Sequence, residues 1–312
     1  MKKFGKVLVA VVAVGLLGVS FILGPLGEGF VVRPFIQMPA EFFHIGAVPV
    51  PNSLVGALIA DLVLIIGMAV GTRRIRAGNS EALVPTGAQN FVEMIYEFIA
   101  DLLGNILGEK GKKMLPLLLT FFLFILVANW IELFPGFDSI GVIEHVHEGH
   151  AGNAIQSAGP FKMLTNEPGE YTLVPYMRAA ATDLNIPLAL ALVSVVMTQV
   201  FGIQELGWSY FSRFINIKAL TKGGMMGIID FVVGLLETLS EFIKIISFAF
   251  RLFGNVFAGM VLLLVISSLL PFMVPVVFYF LELFVGAVQA LVFVMLTSGF
   301  IVVAIAGHGD DH

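Results

Sequence analysis

From about Met226 to Leu270 the chain runs through apolar residues at helical spacing, and Arg251 sits well inside that run. At about 1.5 Å per residue such a helix is roughly 65 Å long, while a bilayer core is only about 30 Å thick. It cannot stand upright in a membrane, so it must tilt steeply or bend. Pro271 and Pro275 bound a turn, and a second apolar helix, Val276 to Ala306, is also longer than an upright span requires. Two overlong antiparallel helices predict a hairpin, 226–306, lying obliquely in the membrane. A cation at membrane depth is expensive and is normally retained for a function. No lysine or arginine follows Arg251.

Composition agrees with a membrane chain. Of 312 residues, 58% are hydrophobic and 12% charged, about half the charged share of a soluble domain. The expected class is an all-α polytopic membrane protein. A formal net charge of -5 offers no basic footprint for nucleic acid. The absence of cysteine excludes disulfides, thiolate catalysis and cysteine-ligated metal.

Loop charges order the spans. Val7 to about Leu23 reads as a signal peptide or a first span; it lacks a clear A-x-A site and is long enough to cross, which favours a retained span. Residues 25–53, with several prolines, read as an external segment. Leu54 to about Gly71 is a span containing Asp61, and Arg73, Arg74 and Arg76 mark its end as cytoplasmic. Residues 86–108 repeat Phe91, Met94, Ile95, Phe98, Leu102 and Ile106 among acids, the pattern of a helix lying on the membrane. Pro116 to about Phe134 is a further span, and residues 186–204 another. The polar stretch 135–182 between them, poor in cations, faces outward. The loop 207–224, with Arg213, Lys218 and Lys222, is cytoplasmic. His145, His147 and His150 have the look of a metal cluster, but a solvated polar loop is the expectation and no metal is assigned.

Asp230, Glu237, Glu241, Lys244, Arg251 and Asn255 follow at intervals of seven, four, three, seven and four, on one broad helical face, with Ser247 at its edge. The last helix adds Glu282 and Gln289, and Thr297 continues their face. With the turn centred near Phe272, Arg251 falls within a turn of Gln289, and Glu282 falls near Ala258 to Met260. Asp230 and Glu241 read equally well as a solvated face. Gln289 and Glu282 read also as helix–helix hydrogen-bonding groups.

At these residues the chain resembles subunit a of the F-type ATP synthase. The resemblance rests on Arg251-Leu-Phe-Gly-Asn255-Val-Phe-Ala-Gly259, on Gln289 in the last helix, and on the segments Asn129–Pro135 and Thr182–Asn185. It implies two offset half-channels meeting at a rotating ring of c subunits, each with a carboxylate near mid-membrane. Arg251 would be the essential arginine, holding the ring carboxylate ionised and blocking direct passage. By the same carry-over Asn255, Gln289, Glu282, Asp183 and Asn185 line the outer half-channel, and Glu237, Ser247 and Lys244 lie towards the cytoplasmic one. Members of the family often carry an ionisable residue nine positions after the arginine; here that position is Met260.

The expected organisation is 1–53, an N-terminal apolar and external segment; 54–306, the membrane domain with external loop 135–182 and hairpin 226–306; and a polar tail, 307–312. The resemblance further implies no catalytic site and no cofactor. The partners it implies are the c ring, b-type peripheral stalk subunits, the rest of the F1F0 complex and the lipid bilayer. The setting is a cell inner or plasma membrane, with both termini cytoplasmic if the first span is retained. A self-contained secondary transporter is the alternative. That class often shows inverted repeats with paired broken helices, and none is evident here.

Overall fold

The computed structural model describes residues 40–45, 48–76, 84–134, 136–145, 152–158, 161–214, 225–270 and 274–306, with the isolated positions 15 and 19. Most of the N-terminal apolar run, His147 and His150, and the tail 307–312 lie outside the described residues.

In chain order the elements are β1 (Phe42–Ile45), β2 (Val48–Pro51), α1 (Asn52–Gly71), α2 (Ala88–Gly111), α3 (Leu115–Ile131), β3 (Gly141–His145), β4 (Gly152–Ala158), β5 (Phe161–Gly169), β6 (Tyr171–Pro175), α4 (Asn185–Leu206), α5 (Met225–Leu269) and α6 (Val274–Ile305). Among the described residues α1, α4, α5 and α6 are long and apolar enough to cross a membrane, and α3 is a shorter apolar helix. The helical membrane class is therefore as expected. α5 runs unbroken for 45 residues and α6 for 32, so both exceed an upright span as the sequence predicted.

α2 forms over the segment expected to be an amphipathic helix. Phe91, Met94 and Phe98 are exposed along one side, while Ile99, Leu103 and Leu107 are buried on another. Gly108, at φ 61°, breaks its helical geometry. That left-handed conformation suits glycine, which has no Cβ to clash.

The segments expected to be external are more structured than a polar loop. β1 and β2 form an antiparallel ribbon, and β3, β6, β4 and β5 form a four-stranded sheet in that order. Prolines hid both. Pro49 and Pro51 would break a central strand, yet a two-stranded ribbon leaves each strand a free edge where the missing N–H does no harm. Pro168 sits in β5, the edge strand of the larger sheet, for the same reason. The sheet also carries a register irregularity between Asn153 and Ile155, which blurs any alternating pattern.

The chain divides into two compact units. One comprises residues 1–59, 128–183 and 254–287, and the other 60–127, 184–253 and 288–312. In the first, Asn52 joins strand ends to α1: its amide donates to the Glu41 carbonyl, its side chain donates to the Pro175 carbonyl, and its own carbonyl accepts from Arg178 N–H. In the second, aromatic rings pack α5, α6 and α3 together. Phe248 lies 4.9 Å from Phe293 and 5.4 Å from Phe300, and Phe121 lies 5.5 Å from Phe293, centroid to centroid. In lipid there is little hydrophobic force between helices, so such close packing holds them.

Candidate functional site

α5 has two different sides around Arg251. Phe248, Leu252, Val256 and Gly259 are buried, at spacings of four, four and three. Ser247, Arg251, Gly254, Asn255 and Ala258 are exposed. A cation thus stands on the outside of the helix among small residues. Among the described residues Arg251 forms no ion pair. The packing of Phe248 on Phe293 sets the antiparallel register, and three residues further on Arg251 comes opposite Ala290, beside Gln289. The hairpin arithmetic expected that neighbourhood. Gln289 is 4% exposed, so its amide is turned into the protein.

Gln289 is followed on α6 by the buried Thr297 and Ser298. Thr297 donates to the Phe293 carbonyl and shares a 2.9 Å hydrogen bond with Ser194 of α4. The polar stripe of α6 therefore continues inside the second unit, hydrogen-bonded at each described step.

Towards the start of α5 the six charged and amide residues expected on one broad face take different surroundings. Lys244 donates to Glu241 at 2.6 Å, with its ammonium 4.6 Å from the Phe300 ring centroid. Glu241 also accepts from Gln199 of α4 at 2.9 Å, and Gln199 accepts from Tyr210 at 2.5 Å. Glu241 is thus half-buried and bonded, not a solvated surface acid. Glu237 is half-buried too, and Ser247 is exposed. Gln199 and Tyr210 were not anticipated; neither carries charge, and the contact joins residues far apart in the chain. The side chain of Asp230 lies outside the described residues.

In the first unit Glu282 is seated against α5. A Cβ on Gly259 would lie 2.4 Å from the Glu282 carboxylate, so the carboxylate rests directly on the glycine and would have to swing aside for a larger residue. This is the position the hairpin register predicted. α3 is fastened to the same stretch of α6: Asn129 donates to the Gly286 carbonyl at 3.3 Å and Trp130 to the Leu283 carbonyl at 3.0 Å. Asp183 is buried and accepts from Ser53 at 3.1 Å. Asn185 opens α4 with an exposed side chain.

Beyond these residues lies a charged group that the spacing did not reveal. Glu41, Asp138 and Arg178 line a cavity of about 130 Å³ whose other walls include Met260 and Leu264 of α5. Burial pushes the Glu41 carboxyl up, with Arg178 opposing the shift and Glu144 adding to it. Asp138 keeps accessible surface, yet protein around its carboxyl pushes it up to about 6, again against Arg178. Burial lowers the Arg178 guanidinium, while Glu41, Asp138 and Asp183 raise it. The three acids so oppose the effect of burial on the cation. Their sequence positions, scattered from 41 to 183, gave no common spacing. Among the described residues no group of acids and histidines has metal-binding geometry.

A helical membrane protein with a lone cation on an exposed helix face, and polar groups before and after it along one hairpin, has the parts of an ion-conducting subunit. The sequence profile of the family described as ATP synthase A chain matches residues 54–302. A curated relative, ATP synthase subunit a of Moorella thermoacetica, is 27% identical over 270 residues, covering 86% of this chain and 98% of the relative. The chain belongs to the ATP synthase A chain family and is therefore a membrane component of an F1F0 complex.

Proposed function

We propose that this chain is the proton-conducting stator subunit beside a c ring, with one half-channel on each side of Arg251. Asn255, Gln289, Glu282, Asp183 and Asn185 serve the outer path. Glu237, Ser247 and Lys244 serve the cytoplasmic one. The chain itself catalyses no bond-making; the soluble head does that. Its b-type stalk partners hold it against rotation. It lies in the cell's energy-transducing membrane, with the 207–224 loop inside and the β-sheet segment outside.

The observation that carries this reading is the exposed Arg251 without an ion pair among the described residues, flanked by small side chains. A cation in an apolar run needs an anion. Small neighbours let another helix bring one close. A guanidinium stays charged at any physiological pH, so it favours the ionised form of a passing carboxylate and cannot itself relay protons.

Contact with the ring is directly testable. A cysteine placed at Ala258 should form a disulfide with a cysteine one turn from the ring carboxylate in assembled complexes. Cross-linking of Ala258→Cys only to the peripheral stalk, and never to the ring, would contradict the proposed face.

A further inference from the structure

The first unit holds an acid that the path above leaves unused. Glu132 stands one residue past the end of α3. Part of the residue remains accessible, but its Oε2 is buried and, among the described residues, makes no hydrogen bond. A buried carboxyl oxygen without a donor is costly, and an ionisable group at such a depth is a functional candidate.

Its position is fixed. The Asn129 and Trp130 hydrogen bonds clamp the end of α3 to the turn of α6 that carries Glu282. Glu132 is within electrostatic reach of both Glu282 and Asp138. Asp138 opens into the cavity with Glu41 and Arg178. Met260 lines that same cavity, and its thioether can neither give nor take a proton. Among the described residues lining this cavity, those of α5 supply no titrating group.

We infer that Glu132 is the proton relay between the outer cavity and Glu282, carrying in this chain the step that Met260 cannot. A proton passes from Asp138, or from cavity water, to the Glu132 carboxylate. Glu132 then hands it to the Glu282 carboxylate, and each donor returns to its ionised form. Arg178 holds Asp138 and Glu41 at the entrance without taking part in transfer. This rests on reading Arg251 as the barrier between two paths.

The test is ATP-driven proton pumping by the whole complex in inverted vesicles. Glu132→Gln keeps the shape, removes the proton and replaces a costly acid with a neutral amide, so the complex should assemble. Pumping should fall at least about tenfold, since a positioned proton-transfer group contributes about 10²–10⁴-fold and trapped water recovers part of it. Adding Met260→Glu, which puts a carboxyl back into the same cavity, should restore most of the rate. Glu132→Asp and Glu132→Asn repeat the comparison with a shorter acid and its amide, in case glutamine disturbs the α3 end; the acid should pump and the amide should not. Undiminished pumping by Glu132→Gln, or no recovery with Met260→Glu, overturns the relay. Retained coupling in Arg251→Ala would instead overturn the underlying reading, so the two failures are distinguishable.

Discussion

Replacing Arg251 with alanine should abolish coupled proton pumping while the complex still assembles. The side chain is exposed and makes no ion pair among the described residues, so its loss leaves no buried partner stranded. Removing it also relieves the cost of a charge in lipid. The functional cost is large. An adjacent opposite charge typically lowers a carboxyl pKa by about 1–3 units, so proton release from the ring should slow by about 10- to 1,000-fold. The barrier between the paths is lost as well, so protons should leak without rotation. Inverted vesicles assayed for ATP-driven acidification and for passive leak separate the two effects. Arg251→Lys should restore charge but not a rigid, permanently ionised fork, and should recover little. Normal pumping by Arg251→Ala would remove the central residue from the account.

Glu282→Leu should cost nearly as much, by a different route. Glu282 is seated against Gly259, and α3 is tied to α6 one residue and one turn away, at Leu283 and Gly286. Leucine fills similar space and is at home in lipid, so assembly should survive. Proton supply from the outside should fall by about tenfold or more, since a positioned acid or base contributes about 10²–10⁴-fold and trapped water recovers part of it. Unlike Arg251→Ala, this variant should not leak, because the cation barrier remains. Measuring pumping and leak together tells them apart; a Glu282→Leu complex that pumps normally would take Glu282 out of the outer path.

Much of this was legible in the sequence because membranes impose simple lengths. A 30 Å core and a 1.5 Å rise were enough to identify the overlong hairpin, and the prolines between Leu270 and Val276 placed its turn. Antiparallel register then brought Glu282 to Gly259, and Arg251 beside Gln289, with no further information. What stayed hidden depends on contacts across the chain. Glu41, Asp138 and Arg178 meet only because strand ends and α1 are joined through Asn52. Tyr210 reaches Gln199, and through it Glu241, by folding a loop back on α4. Glu132 lay in plain view inside the Asn129–Pro135 segment, but only its burial and missing donor set it apart. Prolines in edge strands concealed the two β-sheets, because the rule that they break structure fails where an N–H has no partner to lose.

The most direct measurement is one of access from each side of the membrane. The chain contains no cysteine, so a single introduced thiol is its only one. Met260→Cys and Leu264→Cys, on the outer cavity, and Thr238→Cys and Ser247→Cys, before Arg251 on α5, would be exposed to a membrane-impermeant thiol reagent in right-side-out and in inverted vesicles. Two half-channels separated by Arg251 predict that the first pair reacts only from outside and the second pair only from the cytoplasmic side. Reaction of any one position from both sides would contradict a barrier at the arginine.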